Sequence, residues 1–294
     1  MDIKWAITCC AFLLAGCAAT EEQQLFEKKQ GDIEVISQLS DQVRETSGLA
    51  YYEGLMWTIN DGGDEPAIYA INDGYEIEKR ILLEGAKNID WESLAQDHEY
   101  LYIADCGNNR ATRSTITIYK VSWLSLYNQS SVVVPEVLTV TYSDFADTKV
   151  GKNHNFDCEA VTIVDGELWL FTKNRADLKT KLYRLNASEP RQMIKPSAQY
   201  DVDGLITAAD YDPKTKQLAL LGYGKNVIFG QSFVWIIPVN GTPDWERSKR
   251  LKLNPYAQWE AIMWDPLSGG SELILTSEKS PLLDVSVGRL RISE

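Results

Sequence analysis

The sequence predicts an all-β fold made of a repeated four-stranded unit, and three observations carry that prediction. A phrase recurs with a glutamate at the head of an apolar stretch: DWESL at Asp90 to Leu94, DCEAV at Asp157 to Val161 and QWEAI at Gln258 to Ile262. Short apolar or alternating runs of strand length, LYIA, LWLFT, LALLG and LILTS, follow the start of each unit. The pairs Glu53-Gly54, Asp165-Gly166, Asp212-Pro213 and Asp265-Pro266 stand between first and second runs, where a tight reversal calls for such residues. Aligned on the glutamates, the units begin at Thr46, Trp91, Cys158, Ile206 and Trp259.

Each unit reads as strand, turn, strand, polar loop, strand. The spacing is 45 residues from Ser47 to Glu92, 67 from Glu92 to Glu159, 48 from Glu159 to Thr207 and 53 from Thr207 to Glu260. The longest interval absorbs an excursion at Ser122 to Pro135 and the segment FADTKVGKNHNF before Asp157. Fourth strands are expected at Glu76 to Leu83, Glu136 to Ser143 and Glu246 to Leu253, more polar than the others, as outer strands should be. Units this small cannot bury both faces alone, so the predicted architecture is a single β-propeller of five four-stranded blades, or six if one blade is degenerate. A pair of β-sandwiches also has many short strands but gives no reason for the recurrence. The fifth unit ends at Ile292 without a fourth strand, and Asp32 to Leu39 is expected to supply it, closing the ring.

Residues 1–16 read as a signal peptide: Lys4 precedes an apolar core, Trp5 to Leu14, that is too short to span a bilayer. The run Leu14-Ala15-Gly16-Cys17 resembles a bacterial lipobox. That resemblance implies a lipoprotein cleaved before Cys17, acylated there with palmitate-type lipid and anchored to a membrane. Ala18 in place of Asp implies, by resemblance to enteric lipoproteins, the outer membrane. Residues 17–30 are expected to be a tether and residues 31–294 the propeller domain. Of five cysteines, Cys9 and Cys10 leave with the signal and Cys17 carries lipid, so Cys106 and Cys158 remain. An oxidising compartment permits a disulfide between them; two thiols are the alternative. The formal charge is -13, and loss of Asp2 and Lys4 with the signal leaves it unchanged. Such an excess of carboxylates disfavours nucleic acid and anionic lipid surfaces as partners and leaves room for cations.

In a propeller the first strand of each blade lines the channel, and the loop after the second strand lies where the first begins. Glu92, Glu159 and Glu260, with Ser47 and Thr207 in the equivalent places, therefore converge on one channel mouth. A ring of carboxylates is costly unless a cation, a base or water compensates it. One compensation is Ca²⁺ or another hard cation, with Asn60, Asp61, Glu92, Asp105, Asn108 and Glu159 as the shell of oxygen ligands. Zinc is disfavoured, since His98 and His154 are the only histidines and no CxxC spacing occurs. Another compensation is Lys173, Lys225 and Lys279, which either neutralise the glutamates or, with Asn174 and Glu260, seat an anionic or zwitterionic ligand. Asn and Asp at strand ends also serve loop backbone, which is the plainer role for any one of them. No GxSxG elbow is present; Glu92, Glu159, His154 and Asp157 are the candidate acid–base residues.

The stretches ETSGLAYYEGLMWTINDGGDEPAIYAI, NIDWESLAQDHEYLYIADCGNNRATRSTITIYKV and DCEAVTIVDGELWLFTKN look like a group of secreted bacterial β-propeller proteins and lipoproteins. More distantly they are similar to regucalcin-like, NHL-type and esterase-like phytase propellers. The regucalcin-like resemblance implies a divalent cation in the channel, with Glu92, Asn60 and Asp105 in matching places. The expected function is an envelope-anchored module binding a ligand or protein partner at its channel mouth. The alternative is a metal-dependent hydrolase of phosphoesters or lactones in the periplasm or at the cell surface.

Overall fold

The computed structural model describes residues 29–128, 131–146, 148–224, 231–280 and 283–292. The expected signal peptide, Cys17, most of the tether and Lys225 lie outside the described residues. The described chain opens with β1 (Lys29–Gln38), two residues before the expected start of the domain.

Five blades follow in chain order. Blade 1 is β2 (Thr46–Tyr52), β3 (Leu55–Asn60), β4 (Ala67–Ile71) and β5 (Ile77–Leu83). Blade 2 is β6 (Trp91–Gln96), β7 (Tyr100–Asp105), β8 (Thr115–Ser122) and, after the helix α1 (Trp123–Asn128) and the short β9 (Val132–Val133), β10 (Glu136–Tyr142). Blade 3 is β11 (Cys158–Val164), β12 (Glu167–Thr172), β13 (Lys179–Asn186) and, after β14 (Arg191–Ile194), β15 (Pro196–Asp201). Blade 4 is β16 (Leu205–Asp212), β17 (Gln217–Tyr223), β18 (Ser232–Pro238) and β19 (Lys249–Asn254). Blade 5 is β20 (Trp259–Trp264), β21 (Glu272–Ser277) and β22 (Ser286–Arg291), completed by β1, whose Ile33 to Gln38 pair antiparallel with β22. The expected closure of the ring by the N-terminal strand is thus observed. The first residues of β1 also pair parallel with β19, so one strand ties blades 4 and 5.

The excursions are used in the same way. β9 pairs parallel with β5 of blade 1, and β14 pairs parallel with β10 of blade 2, each adding a fifth strand to the preceding blade's edge. Covering an edge in this way removes unpaired backbone groups that would otherwise recruit another chain.

Five apolar clusters hold the ring, one between each pair of neighbouring blades. Trp57 and Trp91 fill the gap between blades 1 and 2, Tyr102 and Tyr183 the next, Trp169 and Phe171 the next, and Trp259 that between blades 4 and 5. Each large apolar side chain buried this way contributes about 1.5–3 kcal/mol. The inner strands β2, β6, β11, β16 and β20 lie side by side, and β20 returns to β2.

Every inner strand breaks register at the same place. Trp91 faces Asp105 and Ser93 faces Ala104, which leaves Glu92 without a partner. Glu159 is passed over between Cys158 and Ala160, Thr207 between Ile206 and Ala208, Glu260 between Trp259 and Ala261, and Ser47 with Gly48 between Thr46 and Leu49. These are β-bulges, and an extra residue in a bulge re-aims its side chain out of the pleat. Hydroxyls beside the bulges tie blade to blade: Ser47 Oγ donates to Glu92 O at 3.0 Å, and Ser93 Oγ accepts from Val161 N at 3.0 Å.

Cys106, just past β7, and Cys158, at the head of β11, form a disulfide with Cα atoms 5.3 Å apart, clasping blades 2 and 3 across 52 residues of sequence. A loop of that length restricts the unfolded chain, so changing both cysteines to serine should lower unfolding free energy by about 2–4 kcal/mol. Urea titration checks this, and equal midpoints for both proteins would contradict it.

Asp210, partly buried near the far end of β16, accepts from Trp264 N through Oδ2 at 2.7 Å. Burial pushes its carboxyl up to about 7. Because the folded value exceeds the unfolded one near 4, the native state holds the extra proton between them, and its stability falls as pH rises through that window. Asp210→Asn removes that loss. Its melting temperature should exceed the parent's clearly at pH 8 and match it near pH 4; the same difference at both pH values would refute the assignment.

Candidate functional site

The bulges deliver three buried carboxylates to one end of the channel: Glu92, Glu159 and Glu260 are 5%, 4% and 7% exposed. The loop after β12 adds Lys173, 5% exposed, whose Nζ donates to Glu159 Oε2 at 2.9 Å and sits 5.1 Å from the centre of the Tyr223 ring. Burial works against the Lys173 ammonium, but Glu159, Glu260 and Glu92 together hold its pKa well above the usual lysine value. One lysine thus neutralises the blade 3 side of the glutamate ring.

Arg175 extends this basic side. Its Nε and Nη2 donate to Asp157 Oδ2 at 3.1 and 2.8 Å, and Nη2 lies 3.7 Å from Glu159 Oε1. The other oxygen of the fully buried Asp157 accepts from Asn108 N at 2.8 Å. Asp157 is therefore engaged on both oxygens.

Several expected cation ligands serve the loops. Asn60 Nδ2 donates to Gln42 O and Asp64 Oδ2, and its Oδ1 accepts from Glu45 N. Asn108 Oδ1 accepts from Thr112 N and Arg113 N, while its Nδ2 donates to Arg113 O and Phe156 O. Asp105 Oδ1 accepts from Asp90 N and Arg113 Nη1, and its buried Oδ2 has no hydrogen-bond partner among the described residues.

What the fold brings together instead is Asp61, Asp90 and Glu92. Asp61 follows β3 of blade 1, whereas Asp90 and Glu92 flank the start of β6, and one carboxylate oxygen from each lies within 4.8 Å of the others. Neither the Asp90 nor the Glu92 carboxylate receives a hydrogen bond from a described residue. Asp61 Oδ1 takes a short bond from Gly62 N. Two glycines permit this packing. A Cβ on Gly62 would sit 2.5 Å from Asp90 Oδ1, and one on Gly107 would sit 2.4 Å from both Asp90 Oδ2 and Glu92 Oε1. Burial, then Asp61 and other acids, pushes Asp90 up to about 6; burial, then Glu159 and Asp61, pushes Glu92 well above the carboxylate range. The sequence places Asp90 at this mouth, just ahead of Glu92, but does not mark it or the two glycines as part of a cation shell. The signal was present, since Asp61-Gly62 and Cys106-Gly107 occupy equivalent places after the second strands.

The remaining predicted residues are dispersed. Asn174 is buried, donating to Asp177 Oδ1 and accepting from Thr172 Oγ1. Lys279 Nζ reaches outward to Asp41 at 2.7 Å. Gln258 Nε2 donates to Glu278 Oε2 at 2.9 Å, beside Glu260, and burial with Glu260 pushes Glu278 up to about 8. His154 is buried; its Nδ1 accepts from Phe156 N at 3.1 Å, and its Nε2 has no hydrogen-bond partner among the described residues. His98 stands exposed in the turn after β6 at the far end of blade 2.

Fold and site together define a five-bladed β-propeller with an acidic channel mouth. No protein-family model matches the chain, and no curated protein matches it. Solved structures similar to it include hydrazine synthase of Kuenenia stuttgartiensis, at 10% identity and TM-score 0.45, covering 87% of this chain and 65% of that one. The Pan2 WD40 domain of Neurospora crassa is similar at 8% identity and TM-score 0.43, over 86% of this chain and 76% of that one. A chain of the mitotic checkpoint complex is similar at 9% identity and TM-score 0.45, over 90% of both.

Removing Lys173 strands the buried Glu159. Lys173→Ala should therefore cost about 3–5 kcal/mol in urea denaturation, with Lys173→Met plus Glu159→Gln recovering most of it. A loss below about 1 kcal/mol for the single variant would show that the pair is not the stabilising neutraliser.

Proposed function

We propose that this chain is an envelope binding module whose channel mouth takes a divalent cation, Ca²⁺ foremost, on Asp61, Asp90 and Glu92. The observation that supports it is the packing of Asp90 and Glu92: buried or half-buried carboxylates, pressed together by Gly62 and Gly107, with no donor among the described residues. Hard cations take about six to eight oxygens, so three carboxylates leave positions for water and for an oxygen of a ligand or partner. Lys173 and Arg175, paired with Glu159 and Asp157, border the mouth on the other side. Lipid anchoring at Cys17 and the Cys106–Cys158 disulfide agree with an oxidising envelope compartment, the outer membrane being the expected location.

Binding is favoured over hydrolysis by the state of three of the four acid–base candidates, the fourth, Glu92, being a ligand of the proposed cation. Both oxygens of Asp157 are engaged, Glu159 is held by Lys173, and His154 Nδ1 accepts a backbone N–H. None of the three is left as a free base beside the carboxylate cluster.

The test is the melting temperature of the soluble chain starting after Cys17, in EDTA and then with Ca²⁺, Mg²⁺ or Mn²⁺. A cation at about a hundred times its Kd stabilises by about 2.7 kcal/mol, a rise of about 5–10 °C. Glu92→Gln should melt higher than the parent in EDTA, because like charges are relieved, and should lose the cation-dependent rise. No shift with any ion, or an undiminished shift in Glu92→Gln, would overturn the proposal.

A further inference from the structure

The end of the channel opposite the glutamates is a second mouth of different chemistry. The turns between first and second strands of all five blades surround a cavity of about 550 Å³, which is of small-ligand size. Its aromatic lining is the half-buried Tyr51 and Tyr52 from blade 1, with Tyr211 of blade 4 and Trp264 of blade 5 reaching it from the inter-blade clusters in which they are buried. Tyr52 is held in place by stacking on Trp123, with ring centres 4.6 Å apart and planes 1° from parallel.

The charged lining is one-sided. Asp97, Asp165, Asp210, Asp212 and Asp265 reach the cavity, against Lys214 and the exposed His98. Three of these carboxylates cap turns: Asp97 accepts from Glu99 N and Tyr100 N, Asp212 from Lys214 N, and Asp265 from Leu267 N. Capping explains their position without neutralising their charge. None of the five makes an ion pair with a described residue, in contrast to the first mouth, where Lys173 and Arg175 answer Glu159 and Asp157.

Asp210 and Asp165 are left by that account. The Asp165 side chain has no hydrogen bond with a described residue, and Asp210 sits near the far end of the inner strand β16, bonded to Trp264 N. A carboxylate placed partly out of water with no cation beside it weakens the fold unless something cationic occupies the neighbouring space. Aromatic faces beside uncompensated carboxylates are the surroundings that attract an ammonium group with an apolar body, through cation–π and ionic attraction together. We infer that this second mouth binds a small organic cation, an alkylammonium or quaternary ammonium compound, with the charge beside Asp210 and the apolar body against the half-buried Tyr51.

This inference is independent of the cation site at the other mouth. The probe is choline, titrated calorimetrically into the purified full chain, with 3,3-dimethylbutan-1-ol as its neutral counterpart of the same shape. Choline should bind at least tenfold more tightly than the neutral alcohol, and more weakly as salt is raised. Asp210→Asn should weaken choline binding at least tenfold, Tyr51→Ala should weaken it severalfold, and Glu92→Gln should leave it unchanged. Tyr51→Ala keeps the test informative if the Asp210 variant misfolds. Equal binding of choline and the alcohol, no choline binding at millimolar concentration, or loss of binding in Glu92→Gln would each overturn the inference.

Discussion

One extra residue at the head of each inner strand decides what the channel contains. An unbroken strand would send alternate side chains into the two gaps beside its blade, where the five apolar clusters lie. The bulge gives each inner strand a residue that belongs to neither gap. In three blades that residue is glutamate, and in the other two it is Ser47 or Thr207, short enough to bond the neighbouring strand's backbone. The same local device thus both locks blades together and fills a mouth with carboxylates.

Those carboxylates meet two different fates because of what the loops bring to them. Blade 3 brings Lys173 and Arg175, and the ion pairs with Glu159 and Asp157 make that side a structural clasp, reinforced by the disulfide below it. Blades 1 and 2 bring Asp61 and Asp90, which add charge where Glu92 already lacks a donor among the described residues. Stability alone would not select such crowding, since each uncompensated buried carboxylate opposes folding. A bound cation reverses the sign of that contribution, which is why the crowded side, and not the paired side, is read as the binding site.

The repeat, the inner-strand starts, the convergence of the glutamates and the closure by the N-terminal strand were all legible, because each leaves a periodic or terminal mark in the sequence. The bulges were not, since a register shift exists only between a strand and its partner, and Glu92 looks like any strand residue until Asp105 and Ala104 are placed opposite its neighbours. The fourth strand of blade 3, PSAQYD, is polar, alternating and headed by proline, and it reads as loop until β13 supplies its pairing. Asn60 and Asn108 have the chemistry of cation ligands, yet the tight loops they organise consume their amides. Residue type fixed the inventory of the mouth, whereas loop closure decided which members remained free to bind.

The central claim is that the crowded carboxylates exist for a cation, and its most direct test is to locate one. Crystals of the chain grown with Mn²⁺ or soaked with Tb³⁺ would be measured for anomalous scattering. The account predicts a peak within about 2.6 Å of carboxylate oxygens from Asp61, Asp90 and Glu92, with Lys173 still bonded to Glu159. A peak only elsewhere, or none at that cluster at saturating ion, would contradict it.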